Sequence, residues 1–251
     1  MFIDTHSHMN LYMVLDKVLK QAKENGVEKI ISVGMSVVSQ KRTLELCERY
    51  DQIFPALGIH PQEVEENNEI KQDLESIIAL IRENAEKICA IAEIGLDHHF
   101  VKNKNLYPLQ KEIFLKMLEI AQELKLPVNL HTKGAEKEIF ELLPSYDLSK
   151  INIHWYSGPK KFLQQGIESG YYFSFNPAIN FSKRIQSYAE KVDIHQILLE
   201  SDGPVEYRGK SGTPGMVKGV AQKISKIKDK KLVDVEEIIE KNTEKVFPRI
   251  F

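Results

Sequence analysis

The feature of this sequence that most constrains its fold is an alternation of two patterns. Short runs rich in β-branched and aromatic residues, typical of buried strands, are each followed by a longer stretch with apolar residues at helical spacing. The clearest such stretch runs from Leu109 to Leu124, with apolar residues three or four positions apart. The strand candidates number eight: Phe2–His6, Lys29–Val33, Ile53–Gly58, Ile88–Ile94, Val128–His131, Ile151–His154, Tyr171–Phe175 and Ile197–Glu200.

The connections between these candidates predict a parallel sheet. No Asn-Gly or Asp-Gly pair, the usual mark of a tight hairpin, lies between successive strands. Eight β–α units in a chain of 251 residues close most naturally into a barrel. Two more helical patterns follow, at Pro214–Ile227 and Val233–Val246. We therefore predict an α/β fold: a TIM (β/α)8 barrel, one domain over residues 1–251, with an additional C-terminal helix.

Composition excludes several classes of protein. With 42% hydrophobic and 28% charged residues the chain can build a large core but is too charged for a membrane protein. Its net charge of −2 gives no general attraction to nucleic acid, so any polyanion must be recognised by local groups. Cys47 and Cys89 form no metal-binding or disulfide pattern and are expected to be packing residues. Without a signal peptide pattern or an apolar run long enough to cross a bilayer, we expect a cytoplasmic protein.

The first strand candidate ends in two histidines. His6 and His8 are two positions apart, so their rings project from the same face of a strand, with Asp4 preceding them on that face. Their Cα atoms should be about 6 to 7 Å apart, a span that lets both imidazoles bind one ion. The alternative is a surface loop with two chance histidines. At the carboxyl end of a barrel strand, where active sites of this fold lie, a metal site is the better interpretation.

Other strand candidates also end in residues that bind metals. Glu93 closes an otherwise apolar run, and a buried carboxylate there is costly unless it is paired or bound to a metal. His131, His154 and Asp202 follow the fifth, sixth and eighth strands. Each alone could be a satisfied core polar group, but together with the two histidines of the first strand they form one set on one rim. Four imidazoles and two carboxylates suit Zn²⁺, Mn²⁺, Co²⁺, Ni²⁺ or Fe²⁺ better than Ca²⁺.

Six ligands are more than one tetrahedral ion needs. Two divalent ions roughly 3.5 to 4 Å apart, bridged by a carboxylate, would use the whole set. We therefore expect two metal ions, with Mg²⁺ added to the candidates above and the identity left open.

Several short motifs resemble a known family. They are Asp4–His8, Gly58–Pro61, Ile91–Asp97 (AEIGLD), Leu126–Thr132 (LPVNLHT), His154–Gly158 (HWYSG), Leu199–Pro204 (LESDGP) and Tyr207–Lys210 (YRGK). This set is similar to the metal-dependent amidohydrolase superfamily and, within it, to the TatD family of deoxyribonucleases. The motifs are spread over essentially the whole chain. Departures are few: Ala92 and Gly203 replace a usual Gly and Ala, and His98-His99 replaces an aromatic residue.

The resemblance implies a division of the ligands and an activity. One ion would be held by His6, His8, Glu93 and Asp202, and the second by Glu93, His131 and His154, with Glu93 as the bridge. The implied reaction is hydrolysis of DNA, often as a 3′→5′ exonuclease, on single strands or DNA ends. No obligate protein partner and no membrane are implied. A metal-activated water would attack the phosphorus, with Asp202 as general base and Glu93 as the second catalytic residue.

Substrate-binding residues are expected beyond the ligands. His60, in Gly-Ile-His-Pro at the end of the third strand, would contact substrate or a carboxylate, or serve only the structure. Arg208 and Lys210 match phosphate recognition, and Lys133 lies on the same rim. Trp155 could stack on a base or pack against the barrel. We expect His98 and His99 not to be ligands and His195 to lie on the opposite side.

Three functions remain open on the sequence. The first is the nuclease. The second is a hydrolase of an amide or ester in a small molecule or an aminoacyl-tRNA, although many such relatives bridge their metals with a carbamylated lysine where this chain has Glu93. The third is a non-catalytic interaction protein on a retained barrel, which the intact ligand set argues against.

Overall fold

Eight parallel strands form the centre of the computed structural model, which describes residues 1–67, 69–148 and 150–251. Each strand pairs with the next in chain order, which is the topology of a TIM barrel. The strands are β1 (Phe2–Ser7), β2 (Val27–Gly34), β3 (Ile53–Leu57), β4 (Ala90–Gly95), β5 (Val128–His131), β6 (Ile151–Ile153), β7 (Tyr172–Phe175) and β8 (Ile197–Leu199). The predicted barrel is confirmed, and the predicted strand ends lie within two residues of the observed ones.

The barrel closes where β8 meets β1. The Thr5 hydroxyl donates a hydrogen bond to the Leu199 carbonyl at 2.8 Å. Beyond the strands, the Asp202 N–H donates to the His6 carbonyl at 2.9 Å, and the His8 N–H donates to the Gly203 carbonyl at 2.7 Å. These backbone contacts place the residues after β8 directly beside His6 and His8.

Helices cover the outside of the sheet between successive strands. The longer helices are amphipathic at the helical period, and their apolar faces pack against the barrel. The helices are α1 (Leu15–Glu24), α2 (Val37–Arg49), α3 (Glu63–Glu66), α4 (Ile70–Glu83), α5 (Tyr107–Leu124), α6 (Glu136–Leu142), α7 (Lys160–Glu168), α8 (Lys183–Lys191), α9 (Val217–Ile227) and α10 (Leu232–Val246). The two helical patterns predicted after the last strand are α9 and α10.

The C-terminal segment covers the amino-terminal end of the barrel. Phe247 and Ile250 are buried in one cluster with Ile3 and Ile31 from the barrel strands. The Arg249 guanidinium donates to the Ile88 carbonyl, just before β4, at 2.8 Å. The opposite, carboxyl-terminal end is therefore the end at which a ligand can enter, as is usual for this fold.

A short antiparallel hairpin follows β8 and was not predicted. It pairs β9 (Glu206–Tyr207) with β10 (Lys210–Ser211). Its two central residues, Arg208 and Gly209, both have positive φ, at 53° and 77°. That is the conformation of a type I′ turn, in which an arginine is an uncommon first residue. The usual Asn-Gly or Asp-Gly signal is absent, which is why the pattern did not predict this hairpin.

Within the described residues, none of the helices combines the length and the apolar character that crossing a bilayer requires.

Candidate metal centre

The polar strand ends come together in one buried cluster at the carboxyl end of the barrel. Residue exposure runs from 0% for His6 to 8% for His60. Only His131 is somewhat more open, with 13% of its side chain exposed. Among the described residues, three combinations of side chains could each hold an ion: His6, His8 and Glu93; His6, His154 and Asp202; and His60, Glu93 and His131.

The first part of the cluster surrounds one point. The Nε2 atoms of His6 and His8 are 3.4 Å apart. Glu93 Oε2 lies 3.3 Å from the first of these nitrogens and 3.9 Å from the second. Asp202 Oδ1 lies 3.6 Å from His6 Nε2 and 3.4 Å from His8 Nε2.

These separations fit a metal better than they fit hydrogen bonds. Charge-assisted hydrogen bonds are usually about 2.7 to 2.9 Å long. A tetrahedral ion with ligands about 2.1 Å away separates neighbouring ligand atoms by roughly 3.4 Å. The four side chains therefore have the chemistry and the spacing to hold a divalent ion.

The second part of the cluster gathers around the other oxygen of Glu93. Glu93 Oε1 lies 3.5 Å from His60 Nε2 and 3.8 Å from His154 Nε2. The His131 Nδ1 atom is closer to it, at 2.9 Å, which is a hydrogen-bond length. The same carboxylate thus faces both groups of imidazoles, one oxygen to each. His60, which the sequence suggested only as a substrate or structural residue, is as near to Glu93 as the candidate ligands.

A close backbone approach sets the position of Glu93 relative to His131. Gly95, the last residue of β4, has a φ of 151°, a conformation that side chains disfavour. A Cβ atom at this position would overlap the carbonyl oxygen of His131. Only glycine therefore lets the ends of β4 and β5 approach this closely.

Glu200 is a buried carboxylate to which the strand pattern assigned no role. Its Oε2 atom is 2.8 Å from His154 Nδ1. Its Oε1 atom accepts a hydrogen bond from the Trp155 backbone N–H at 3.1 Å. Trp155 has a φ of 36°, so this contact supports a strained backbone conformation. A carboxylate on Nδ1 leaves Nε2 of His154 directed into the cluster, as in many metal sites.

Asp97 performs the same task for His131. Its Oδ2 atom is 2.8 Å from His131 Nε2. Its Oδ1 atom accepts from the backbone N–H groups of His99 and Phe100 at 2.7 and 2.6 Å. The signal available in the sequence was similar to the one that identified Glu93: a carboxylate close to the end of a buried strand, here just after β4.

Asp4 lies beneath the cluster and ties β1 to the residues after β8. Its Oδ2 atom accepts from the Ser201 hydroxyl at 2.5 Å, and its Oδ1 atom accepts from the Ser201 N–H at 2.8 Å. Burial raises the pKa of Asp4 to about 7, although the Ser201 and His6 hydrogen bonds oppose this rise. Asp4 therefore holds β1 against the residues after β8 and so helps to set the relative positions of His6 and Asp202.

The electrostatics of the cluster favour charged groups despite burial. Burial would raise the pKa of Glu93, but the imidazoles of His60, His6 and His154 hold it well below its ordinary value. Burial would likewise lower the pKa of His154, but the nearby carboxylates, Glu200 first, raise it to about 10. The imidazoles of this buried set carry protons that a metal cation can displace when it binds to the same nitrogen and oxygen atoms.

Some of the candidate substrate-binding residues line a cavity at the cluster, and others do not. A cavity of about 490 Å³ opens above the cluster and is lined in part by His60, Lys133 and Trp155. Arg208 and Lys210 are exposed on the hairpin and do not line that cavity. The Arg208 guanidinium lies 4.4 Å from the ring centroid of Phe181. Their contact with substrate stays a prediction.

Three other histidines lie outside the candidate ligand combinations of the described residues. The His98 ring is stacked on Tyr107, with centroids 3.8 Å apart. His99 is exposed, and His195 lies just before β8, at its amino-terminal end.

Comparison with known proteins points to one family. A family profile described as TatD related DNase matches residues 3–248. An uncharacterized metal-dependent hydrolase of Methanocaldococcus jannaschii is 33% identical over 253 residues, which is 99% of this chain and 97% of that protein. The human deoxyribonuclease TATDN3 is 26% identical over 99% of this chain and 95% of its own length.

The fold is shared with a solved structure. The crystal structure of the TatD homologue YjjV from Escherichia coli superposes with a TM-score of 0.90, at 24% identity, over 98% of each chain. The profile match spans nearly the whole sequence, and a relative above 30% identity covers almost the full length. This chain therefore belongs to the TatD family of metal-dependent hydrolases.

Proposed function

We propose that this chain is a deoxyribonuclease that hydrolyses phosphodiester bonds with two divalent metal ions, as a 3′→5′ exonuclease on single-stranded DNA or DNA ends. The observation that carries the proposal is the buried cluster in which Glu93 presents one oxygen to His6 and His8 and the other to His131 and His154. The name of the human relative, a deoxyribonuclease, supports the choice of substrate.

The donor set supports the metals. His6, His8, Glu93 and Asp202 would hold one ion, and Glu93, His131 and His154 the other. Nitrogen and carboxylate donors suit Zn²⁺, Mn²⁺, Mg²⁺, Co²⁺, Ni²⁺ or Fe²⁺. Ions in these places would supply Lewis acidity, which lowers the pKa of water and neutralises phosphate oxygens.

Asp202 is our candidate for the general base. Its Oδ1 atom faces His6 and His8, and its Oδ2 atom lies 3.9 Å from His154 Nε2. A carboxylate that touches both halves of the cluster can accept the proton of a water that attacks from between them. Burial opposes ionisation of Asp202, yet His154, His8 and His6 lower its pKa, so the side chain is ionised and has a free oxygen lone pair for a proton.

Other residues would position the substrate. His60 lines the cavity and would contact the phosphate or orient Glu93. Arg208 and Lys210 would bind phosphates that lie outside the cavity, since both are exposed on the hairpin and neither lines the cavity. Guanidinium and ammonium groups are the usual partners of phosphate oxygens.

A cytoplasmic location remains part of the proposal. Cys47 and Cys89 are free thiols, the first half-buried and the second buried, which is compatible with a reducing compartment.

The deciding experiment is a metal-supplemented assay on single strands labelled at the 3′ or the 5′ end, beside duplexes and a panel of amides, esters and aminoacyl-tRNA. We expect stepwise shortening from the 3′ end that chelation abolishes. Hydrolysis of an amide or ester without any cleavage of DNA would assign the chain to the other branch of the superfamily. No hydrolysis of any substrate by metal-loaded protein would favour an interaction protein.

A further inference from the structure

Lys133 is the only lysine or arginine among the described residues that line the cavity above the cluster. The cavity, about 490 Å³, is in the size range of small-ligand sites. A negatively charged group that enters it beside the metal centre therefore meets the ammonium group of Lys133. Arg208 and Lys210 do not belong to that lining.

The Lys133 side chain is held in a defined place. Its Nζ atom donates a hydrogen bond to the Ser157 hydroxyl at 3.0 Å. It also lies 5.9 Å from the ring centroid of Phe100 and 5.5 Å from that of Trp155, within reach of cation–π attraction to both. An ammonium group has three donors, so this one retains the capacity to bind an anion.

The loops that carry this group are fixed to the metal centre. The Lys133 carbonyl accepts a hydrogen bond from the His98 N–H at 2.8 Å. Asp97 holds the Phe100 N–H and the ring of His131 with one carboxylate. Glu200 likewise holds the Trp155 N–H and the ring of His154. The two aromatic residues therefore keep a fixed position relative to the candidate ligands.

We propose that Lys133 and Ser157 form a second phosphate subsite, which binds the phosphate next to the scissile one, while Phe100 and Trp155 receive the nucleoside between the two phosphates. This proposal rests on the proposed nuclease function and adds to it a requirement for a neighbouring phosphate. An ammonium and a hydroxyl supply the donors that a phosphate needs, and aromatic faces bind bases of any sequence. Phe100 is half-exposed, at 51%, so its ring is accessible to a base.

The kinetic test compares two substrates. Bis(4-nitrophenyl) phosphate has one phosphodiester and no neighbouring phosphate, whereas a thymidine dinucleotide with a terminal phosphate has both. Lys133→Met keeps the length of the side chain and removes its charge. Loss of a charged hydrogen bond should lower kcat/KM for the dinucleotide by roughly 10- to 100-fold, mainly through KM. For bis(4-nitrophenyl) phosphate the change should stay within about twofold, since no contact is lost.

A matched control is Lys137→Met. Lys137 lies on α6, outside the cavity, where it pairs with Glu141 at 3.7 Å. This variant should match the wild type on both substrates. Ser157→Ala should show the dinucleotide-specific effect in weaker form. An equal loss on both substrates in Lys133→Met, or no loss on either, would overturn the subsite.

A binding measurement separates this proposal from the proposed function. Trp155 is the single tryptophan of the chain, so its fluorescence reports on the subsite directly. Thymidine 3′,5′-bisphosphate should quench it at a concentration roughly tenfold lower than thymidine 3′-monophosphate, since a second charged contact forms. Lys133→Met should abolish that difference. Equal affinities in the wild type would disprove the subsite, whereas a clear difference in a protein without nuclease activity would retain a phosphate site at Lys133 and reject the nuclease.

Discussion

Glu200 Oε2 lies 2.8 Å from His154 Nδ1, and this contact decides which nitrogen of the imidazole faces the candidate metal centre. Outer carboxylates of this kind orient a histidine and typically change metal affinity by about 10- to 100-fold. We therefore expect Glu200→Gln to weaken binding of the second ion by about that factor. Isothermal titration with Zn²⁺ or Mn²⁺ measures it.

Glu206→Gln provides the control for that variant, because Glu206 is exposed on β9. It should bind metal as the wild type does. Wild-type affinity in Glu200→Gln, with the fold preserved, would show that the contact with His154 does not position a ligand.

The second prediction is that two ions share Glu93 as a ligand. The two oxygens of this carboxylate face different imidazoles, His6 Nε2 at 3.3 Å and His131 Nδ1 at 2.9 Å. Anomalous diffraction from metal-saturated crystals should show two peaks, one on each side of Glu93. A single peak under saturation, with His131 and His154 directed away from it, would contradict the bridge.

Asp202→Asn separates a hydrolase from a scaffold. The substitution keeps the size of the side chain and one oxygen ligand but removes the basic group. General-base assistance usually contributes about 10²- to 10⁴-fold, so kcat should fall by roughly that factor. The barrel core should be unaffected, and circular dichroism checks this. Activity must be compared at saturating metal, because affinity for the first ion can fall as well.

A normal kcat in the Asp202→Asn variant would contradict this prediction. A folded, metal-loaded Asn variant that hydrolyses phosphodiesters at nearly the wild-type kcat would remove Asp202 from the proton transfer.

Arg208→Ala and Lys210→Ala test the hairpin. Both side chains are exposed and lie away from the metal cluster, so they would contact phosphates other than the attacked one. Each variant should raise KM on oligonucleotides by several-fold, because each loses about one exposed contact with phosphate. The change in kcat should be smaller. Lys226→Ala, at an exposed position of α9, is the control. Unchanged KM in both hairpin variants would exclude them from substrate binding.

Metal binding should release protons. Burial would lower the pKa of His154, but Glu200, Asp202 and Glu93 raise it to about 10, so the metal-free imidazole is protonated at neutral pH. An ion must displace that proton, and affinity should rise by about tenfold per pH unit for each proton released. Titration calorimetry in two buffers of different ionisation enthalpy counts the protons. A pH-independent affinity between pH 6 and 8 would contradict this.

Removing the metal should also destabilise the fold. A ligand at 100 times its dissociation constant stabilises the native state by about 2.7 kcal/mol. The chelated protein should therefore unfold at a lower temperature than the loaded one in differential scanning calorimetry, and the Tm should recover when metal is restored.

The barrel was predictable because its determinants are local. Each apolar run or amphipathic stretch can be recognised from a few neighbouring residues. Eight such units leave few ways to close a sheet. The same locality applies to His6, His8, Glu93, His131 and His154, each of which stands at or near the end of a predicted strand. That residues 1–251 form one domain stays a prediction.

What the sequence by itself determined is therefore the set of strands and the residues that end them. Only the tertiary structure decided which partner each of those residues meets: Glu200 on His154, Asp97 on His131, and Lys133 rather than Arg208 on the wall of the cavity. These pairs join strands and loops that are far apart in the chain. Their distances depend on barrel closure and on close approaches such as that of Gly95 to His131. No local pattern encodes them, because the contact energy of a pair exists only after the fold has brought its members together.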